Sequence, residues 1–414
     1  MKAVSTLCLF LMVAASASSQ QSLPQTGAAP APARKLTLLE ALTLAERQNL
    51  DLAAARQRRA VAQAGVQIAR QIPNPSSSFG ASRDLPHESL LFEQPLEIGG
   101  KRHRRIELAK QQVSLTDVEI ETCARRVRRR VRQAFFAAVT AQGLAGQRAQ
   151  ALELARRVRD TAQARFDAGD VPQLDVYQAE LEVSRAEADL AVAKQREKVA
   201  FSQLNALLNE PAETRWETAG TLEELPPQVV LQDVVQRAVE SNAELRHLAQ
   251  EQRIEQSRRA WLQAERIPNL NVQVGTDLNA PGDFRAGPRG QLSLVVPLFT
   301  RNQGEIAQSL ASQHALEGEV AAARRAVAAR VEAAYYEWGA RQTQVELFRR
   351  TLLPAGRRLQ SLAEESYRAG KANLLTVLDA QRNVQQVERD YLESLFALQA
   401  AFADLEETVG ASLD

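Results

Sequence analysis

Residues 165–180 read RFDAGDVPQLDVYQAE, and 201 residues later, at 366–381, the chain reads SYRAGKANLLTVLDAQ. An aromatic, Ala-Gly, a short polar turn and Leu-x-Val recur in register, so one chain makes the same turn twice. The echo runs much further. LAERQNLDL (Leu44–Leu52) resembles AVESNAELRHL (Ala238–Leu248), and QIPNP (Gln71–Pro75) pairs with RIPNL (Arg266–Leu270). LFEQPLEIGGKR pairs with LSLVVPLFTRNQG, Pro95 falling on Pro297, and RVRQAFFAA (Arg130–Ala138) pairs with RVEAAYYEW (Arg330–Trp338). Offsets stay between 193 and 202, so the chain is a tandem duplication with small insertions. Each unit is far longer than solenoid repeats of about 20–50 residues.

Both units predict the same element order. A helix runs over about 37–71 (231–266 in the second copy). An extended region follows, then a very long helix over about 101–167 (303–368). The repeated turn comes next, then a helix over about 173–209 (373–408). The first repeat spans 37–209 and the second 230–410. Residues 210–229, rich in proline and broken at Gly220, link them compactly. A helix of nearly 70 residues is a rod of about 100 Å, so it must bury an apolar stripe along neighbours rather than sit inside a globule. The last helix shows that stripe at Leu374, Val377, Val384, Tyr391, Leu395, Leu398, Phe402 and Leu405, on alternating three- and four-residue steps. This is the spacing of a coiled-coil seam. The first copy gives Leu174, Tyr177, Leu181, Ser184, Ala188 and Ala191.

Helical periodicity stops in the extended regions. PNLNVQVGTDL puts Leu270, Val272 and Val274 on one face, and GQLSLVVPLF does the same with Leu292, Leu294 and Val296. Such alternation predicts strands, one pair over about 269–299 and a less regular pair over about 76–97, in SSSFGASRD and HESLLFEQPL. Ten residues is about what a tilted strand needs to cross a bilayer. No run after the N-terminus approaches the roughly 18 apolar residues of a spanning helix. Four strands cannot close a barrel, and lipid does not tolerate open edges, so a membrane role would require several copies to pool strands. The same alternation also fits two soluble hairpins capping a bundle.

The N-terminus, MKAVSTLCLFLMVAASASSQ, has one lysine, an apolar run and Ala15-Ser16-Ala17, the pattern of a secretory signal over 1–17. Cys8 precedes the small residues and is expected to leave with the signal, without lipidation. Residues 18–36 read as a flexible leader. Cys123 is then the one cysteine of the mature chain, which excludes an internal disulfide.

The paired helix–strand–strand–long helix–turn–helix order, the strand pairs beside IPNP and IPNL, and the AG turns before LDV and VLDA resemble the TolC-like outer membrane efflux family across nearly the whole mature chain. QPLEIGGKR (Gln94–Arg102) resembles its CzcC/CusC-like heavy-metal branch. The resemblance implies a mainly α protein with a small β part. Tandem helical hairpins would form a trimeric α-barrel, and four strands per chain would contribute to a shared twelve-stranded transmembrane β-barrel. It implies a homotrimer in outer membrane lipid, its helices in the periplasm, joined through a periplasmic adaptor to an inner-membrane pump of the RND type. Cargo, taken from the branch to be heavy-metal cations, would pass unchanged, so no enzyme activity, cofactor or nucleic acid is expected. A duct for drugs or for type I secretion, and a soluble periplasmic scaffold or adaptor, are the alternatives.

In the family, acidic residues just inside the periplasmic tips ring the narrow mouth, and Asp175 and Asp379 occupy the matching slots. Thr376 stands where better-known members carry a second aspartate in that copy. Carboxylates around a constriction repel one another and attract cations. The alternative is that both are solvated or cap helix starts. Gly169, Asp170, Gly370 and Lys371 form the tip turns and the expected adaptor contacts, the glycines supplying positive φ. The strand residues Leu270, Val272, Val274, Leu292, Leu294 and Val296 would face lipid.

Other motifs carry little. His87, His103, His247 and His314 lack ligand spacing. ARRVRRRVRQ (Ala124–Gln133) reads as a solvated or lumen-facing stripe behind a signal peptide. IGGK lacks the first glycine and the Ser/Thr of a phosphate loop. The pairs Phe135–Phe136 and Tyr335–Tyr336 read as packing.

Overall fold

The computed structural model describes residues 34–84, 86–218, 222–278 and 286–413. The expected signal, Cys8, Gly220 and most of the loop between the second pair of strands lie outside them. The chain begins with β1 (Arg34–Leu36), α1 (Leu38–Gln48) and α2 (Leu50–Arg70), followed by β2 (Ser76–Ala81) and β3 (Glu88–Leu96). Then come α3 (Lys101–Asp167) and α4 (Gln173–Leu208). The second repeat follows β4 (Trp216–Thr218). It holds α5 (Leu231–Ser241), α6 (Ala243–Glu265), β5 (Leu270–Leu278), β6 (Ala286–Leu294), α7 (Gln303–Leu347), a π turn (Phe348–Leu352), α8 (Leu353–Arg368) and α9 (Leu374–Val409).

Three expected elements are corrected. The opening helix of each repeat is two helices, broken at Asn49 and at Asn242. Asparagine competes with helical backbone through its own side chain, and here both halves of the amide are used. Asn49 Oδ1 accepts from Leu52 N at 3.1 Å while Nδ2 donates to Leu207 O at 2.9 Å. Asn242 Oδ1 accepts from Glu244 N and Leu245 N, and Nδ2 donates to Thr408 O at 2.7 Å. Each break is thereby tied to the last turn of its repeat's final helix.

The second long helix, expected unbroken, is interrupted by the π turn, where Leu353 N donates to Phe348 O five residues back. Phe135 and Tyr335 are offset by 200, whereas Phe166 and Tyr367 are offset by 201, so the second copy carries one extra residue between them. A π turn absorbs one inserted residue without ending the helix. It is seated beside Pro354, which has no N–H to donate to the preceding turn. The third correction is at the leader, whose last residues form β1, parallel to β4 of the linker. The linker is compact: Trp216 is buried and its Nε1 donates to Asn205 Oδ1 at 2.6 Å.

The two repeats share one antiparallel sheet, in the order β2-β3-β5-β6, so β3 of the first pairs with β5 of the second. They also share one large core, with Phe135, Phe136, Leu204, Val331, Trp338, Leu398 and Phe402, beside the linker. Smaller clusters carry the hairpins toward the tips.

Candidate functional site: two tips and an apolar sheet face

The two tip turns have one geometry. After α3, Gly169 takes φ 79°, its N–H reaches Phe166 O at 2.9 Å, and Asp170 N reaches Arg165 O at 2.9 Å. After α8, Gly370 takes φ 70°, its N–H reaches Tyr367 O at 3.0 Å, and Lys371 N reaches Ser366 O at 2.8 Å. This pair of bonds is a Schellman motif, which needs a left-handed residue at the position both glycines hold. Asp170 and Lys371 are exposed at the extremity, so corresponding positions carry opposite charge.

The two aspartates do not occupy equivalent levels. α4 and α9 start 201 residues apart; Asp175 is the third residue of α4 and corresponds to Thr376, whereas Asp379 is the sixth of α9. Asp379 is thus about 4.5 Å further along its helix. Thr376 instead joins the cap of α9, its N and Oγ1 bonding Asn373 Oδ1 at 2.9 and 2.7 Å. Asp175 is half-buried beside Tyr367. Burial pushes the Tyr367 hydroxyl pKa up, the Arg165 charge opposes this, and the Asp175 charge adds to it. Asp379 is exposed and lies 3.8 Å from Arg382 Nη1. Arg382 also bonds Glu182 Oε2 across the hairpins at 2.9 Å, and that hydrogen bond holds the guanidinium pKa above its ordinary value. The cross-hairpin links Arg165–Tyr367 and Arg382–Glu182 were not expected from the sequence. The repeat alignment would have flagged Arg165, since it stands opposite Ser366 in otherwise matched turns.

At the other end the sheet has one apolar and one polar face. Residues directly opposite in a ladder share a face. Phe79 stands opposite Leu90, Phe92 opposite Val274, Leu96 opposite Leu270, and Val272 and Leu270 opposite Leu292 and Leu294. This face is open: Phe79 is 64% and Leu292 70% exposed. The opposite face carries Ser76, Ser78, Glu93, Gln273, Asp277 and Arg289, with Gln273 Nε2 bonded to Glu93 Oε2 at 3.1 Å. Val296 is corrected: β6 ends at Leu294. Its partner there is Leu270, the first residue of β5, and Pro268 just before it leaves no strand to pair with Val296. Among the described residues, no helix is long and apolar enough to cross a membrane.

Twin hairpins on a shared sheet with one greasy face define a class, and the sequence places the chain in it. The chain belongs to the outer membrane efflux protein family, whose family model matches residues 41–210 and 234–411. The protein is accordingly an outer membrane efflux protein. The chain is 26% identical over 382 residues to the cobalt-zinc-cadmium resistance protein CzcC of Cupriavidus metallidurans, covering 91% of this chain and 90% of that one. The fold is shared with a membrane protein from Pseudomonas aeruginosa, at TM-score 0.76 and 18% identity, over 90% of this chain and 92% of that one. It is also shared with CusC, at TM-score 0.72 and 16% identity, over 91% and 92% of the two chains.

Proposed function

We infer that three copies of this chain close head to tail into an exit duct for heavy-metal cations. Cargo would be delivered by an inner-membrane pump of the RND type through a periplasmic adaptor. One observation carries the ring: residues that one repeat buries against the other have exposed counterparts. Phe136 is 7% exposed and its counterpart Tyr336 is 65%; Tyr367 is 3% exposed and Phe166 is 37%. Buried Lys101 corresponds to exposed Gln303. Each exposed residue is what its buried counterpart would be if its partner lay on another chain. A contact repeated head to tail closes into a ring. Three copies supply twelve strands, within the range of outer membrane barrels, and remove the edges at β2 and β6.

The apolar face with Leu270, Val272, Val274, Leu292 and Leu294 would then meet lipid, and the tips would lie at the periplasmic mouth. Asp175 and Asp379 would line that mouth at two levels, and Gly169, Asp170, Gly370 and Lys371 would meet the adaptor. The metal cargo rests on the likeness to a cobalt-zinc-cadmium resistance protein. Deleting the gene should sensitise cells to divalent metals; a strain that loses only tolerance to lipophilic drugs would overturn the cargo. Replacing Asp175 and Asp379 together with alanine should raise leak conductance in planar bilayers, and unchanged conductance and cation preference would remove them from the gate.

A further inference from the structure

Below the linker, α3, α4 and α9 line a cleft of about 500 Å³. Thr140, Ala141 and Leu144 of α3 form its floor, with Val192 and Phe396 beside them. Arg148, Arg196 and Arg389 also line it, with Asp189 and Glu393 among them. These arginines have donors to spare. Asp189 Oδ2 lies 3.6 Å from Arg148 Nη1, and Asp390 Oδ1 and Glu393 Oε1 each lie 3.9 Å from Arg389 Nε, all beyond hydrogen-bond reach. Arg148 donates to Gln385 Oε1 at 3.2 Å and Arg389 donates to Gln386 Oε1. The buried Arg389 Nε has no hydrogen-bond partner among the described residues, and Arg196 is exposed. The cleft turns away from the linker. Tyr391 Oη reaches Glu223 Oε1 at 3.5 Å, and Gln142 Oε1 accepts from Thr218 Oγ1 at 2.6 Å. Arg389 and Glu393 stand two residues from Tyr391, and Thr140 and Leu144 two from Gln142, which is about 200° round a helix. Nor is this the side that would meet another chain. Leu392 of α9 lies against Gly143 of α3, 3.5 Å from where a Cβ there would stand. Its counterpart is exposed Ala191 of α4, two residues from both Asp189 and Ala193, so the next chain would meet α4 away from the cleft.

We propose that this cleft opens on the bore of the ring and binds a small organic anion, its apolar body on the α3 floor and its carboxylate or sulfonate head against Arg196 and Arg389. This rests on the ring assembly inferred above, and not on the cargo. Three copies of the linker, β1 and β4 turned inward would fill a duct, so they stand outside it and the opposite side is the bore. Sites for small ligands have volumes of about 300–1,000 Å³, largely apolar walls and a few placed polar groups. A guanidinium offers a planar fork of donors to an anion with two or more oxygens, and such charge-assisted bonds are about twice as strong as neutral ones. An inorganic anion would meet the same arginines but leave the apolar floor wet. A neutral body would cover the floor and leave the Arg389 Nε donor unmatched. One ligand in each of three clefts at a single level would narrow the duct.

Single-channel currents of the full-length protein in planar bilayers in KCl test this with three probes. Naphthalenesulfonate should interrupt the current. Methanesulfonate, the head without the body, and naphthalenemethanol, the body without the charge, should not do so at the same concentration. Arg196→Gln with Arg389→Gln should raise the half-blocking concentration of naphthalenesulfonate at least about tenfold, a loss of about 1.4 kcal/mol in binding. Ala141→Phe, which fills the floor and keeps every charge, should raise it as well. Should the double variant fail to assemble, Arg196→Gln alone, at an exposed position, should still raise it several-fold. Block by the neutral probe as strong as block by naphthalenesulfonate would overturn the proposal, as would a half-blocking concentration that these variants leave unmoved. A wild-type protein that is a monomer by light scattering and opens no channel would instead remove the ring assembly itself.

Discussion

α4 and α9 are each 36 residues long and begin 201 residues apart, yet α9 buries sixteen residues and α4 six. α9 has α3 of the other repeat beside it, and its stripe from Leu374 to Leu405 is covered. On α4 the positions that match this stripe include buried Val176, Val183 and Leu204, but the face with Leu174, Tyr177 and Leu181 is left largely exposed. A heptad-like pattern thus states that a partner exists and not which chain supplies it. The same duplication that gives α9 its neighbour leaves α4 one short.

The largest effect should come from the centre of the covered helix. Phe402 is fully buried against Trp338 and under the Arg132 guanidinium. Phe402→Ala should cost about 3–5 kcal/mol, read as a fall in the thermal midpoint of the purified protein. Its counterpart Phe201 is only half-buried, and Phe201→Ala should cost less than half as much; equal losses would break the comparison.

Next comes Glu406, whose carboxylate lies 2.6 Å from Arg132 Nη1 with both side chains nearly enclosed. Glu406→Gln leaves a buried cation with a neutral partner, and about 3 kcal/mol should be lost in the same melt. The corresponding Asn205 ties down Trp216 and the carbonyls of Ala212 and Thr214. Asn205→Ala should cost about 1–3 kcal/mol, the loss expected when buried groups are left without partners.

Tyr177→Ser with Leu181→Ser should change the stability of a single folded chain by under about 0.5 kcal/mol, as for exposed positions generally. It should nevertheless reduce the share of protein running as an oligomer in native gels, a split not expected from substitutions at the buried positions of α9.

The smallest effect is at the first helix. Glu40 completes a capping box with Thr37, whose backbone N–H and hydroxyl hold the Glu40 pKa below the ordinary carboxylate value. α5, its counterpart, starts at Leu231, and Val230 before it offers no side-chain cap. With the folded pKa depressed, the stabilisation is present above the ordinary carboxylate range and fades as pH falls through the folded value. The melting difference between wild type and Glu40→Gln should therefore be present at neutral pH and shrink in acid. A difference independent of pH would assign the effect to something other than the charge.

Much of this architecture was legible because it is local and stated twice. The AG turns, the bounds of α3 and α4, and the paired strands all follow from spacing and turn chemistry repeated at a near-constant offset. Three features were not read. Asn49 and Asn242 sit at matched places inside otherwise helical segments, and their role depends on carbonyls about 160 residues away. The π turn left a trace as a one-residue change of offset between matched aromatics, but the turn it forms is indistinguishable from α-helix by apolar periodicity. β1 finds β4 across a gap that no local pattern spans. At the tips Gly169 and Gly370 marked the turns, while the helical level of Asp379 emerged only once the start of α9 was fixed.

The sheet leaves β2 and β6 as outer strands, each with a row of backbone donors and acceptors unmatched within the chain. In water such rims invite strand addition by any passing polypeptide, and in hydrocarbon they are forbidden. In the ring inferred above each rim is matched by a neighbouring chain, so entry into the bilayer and assembly would be one and the same event.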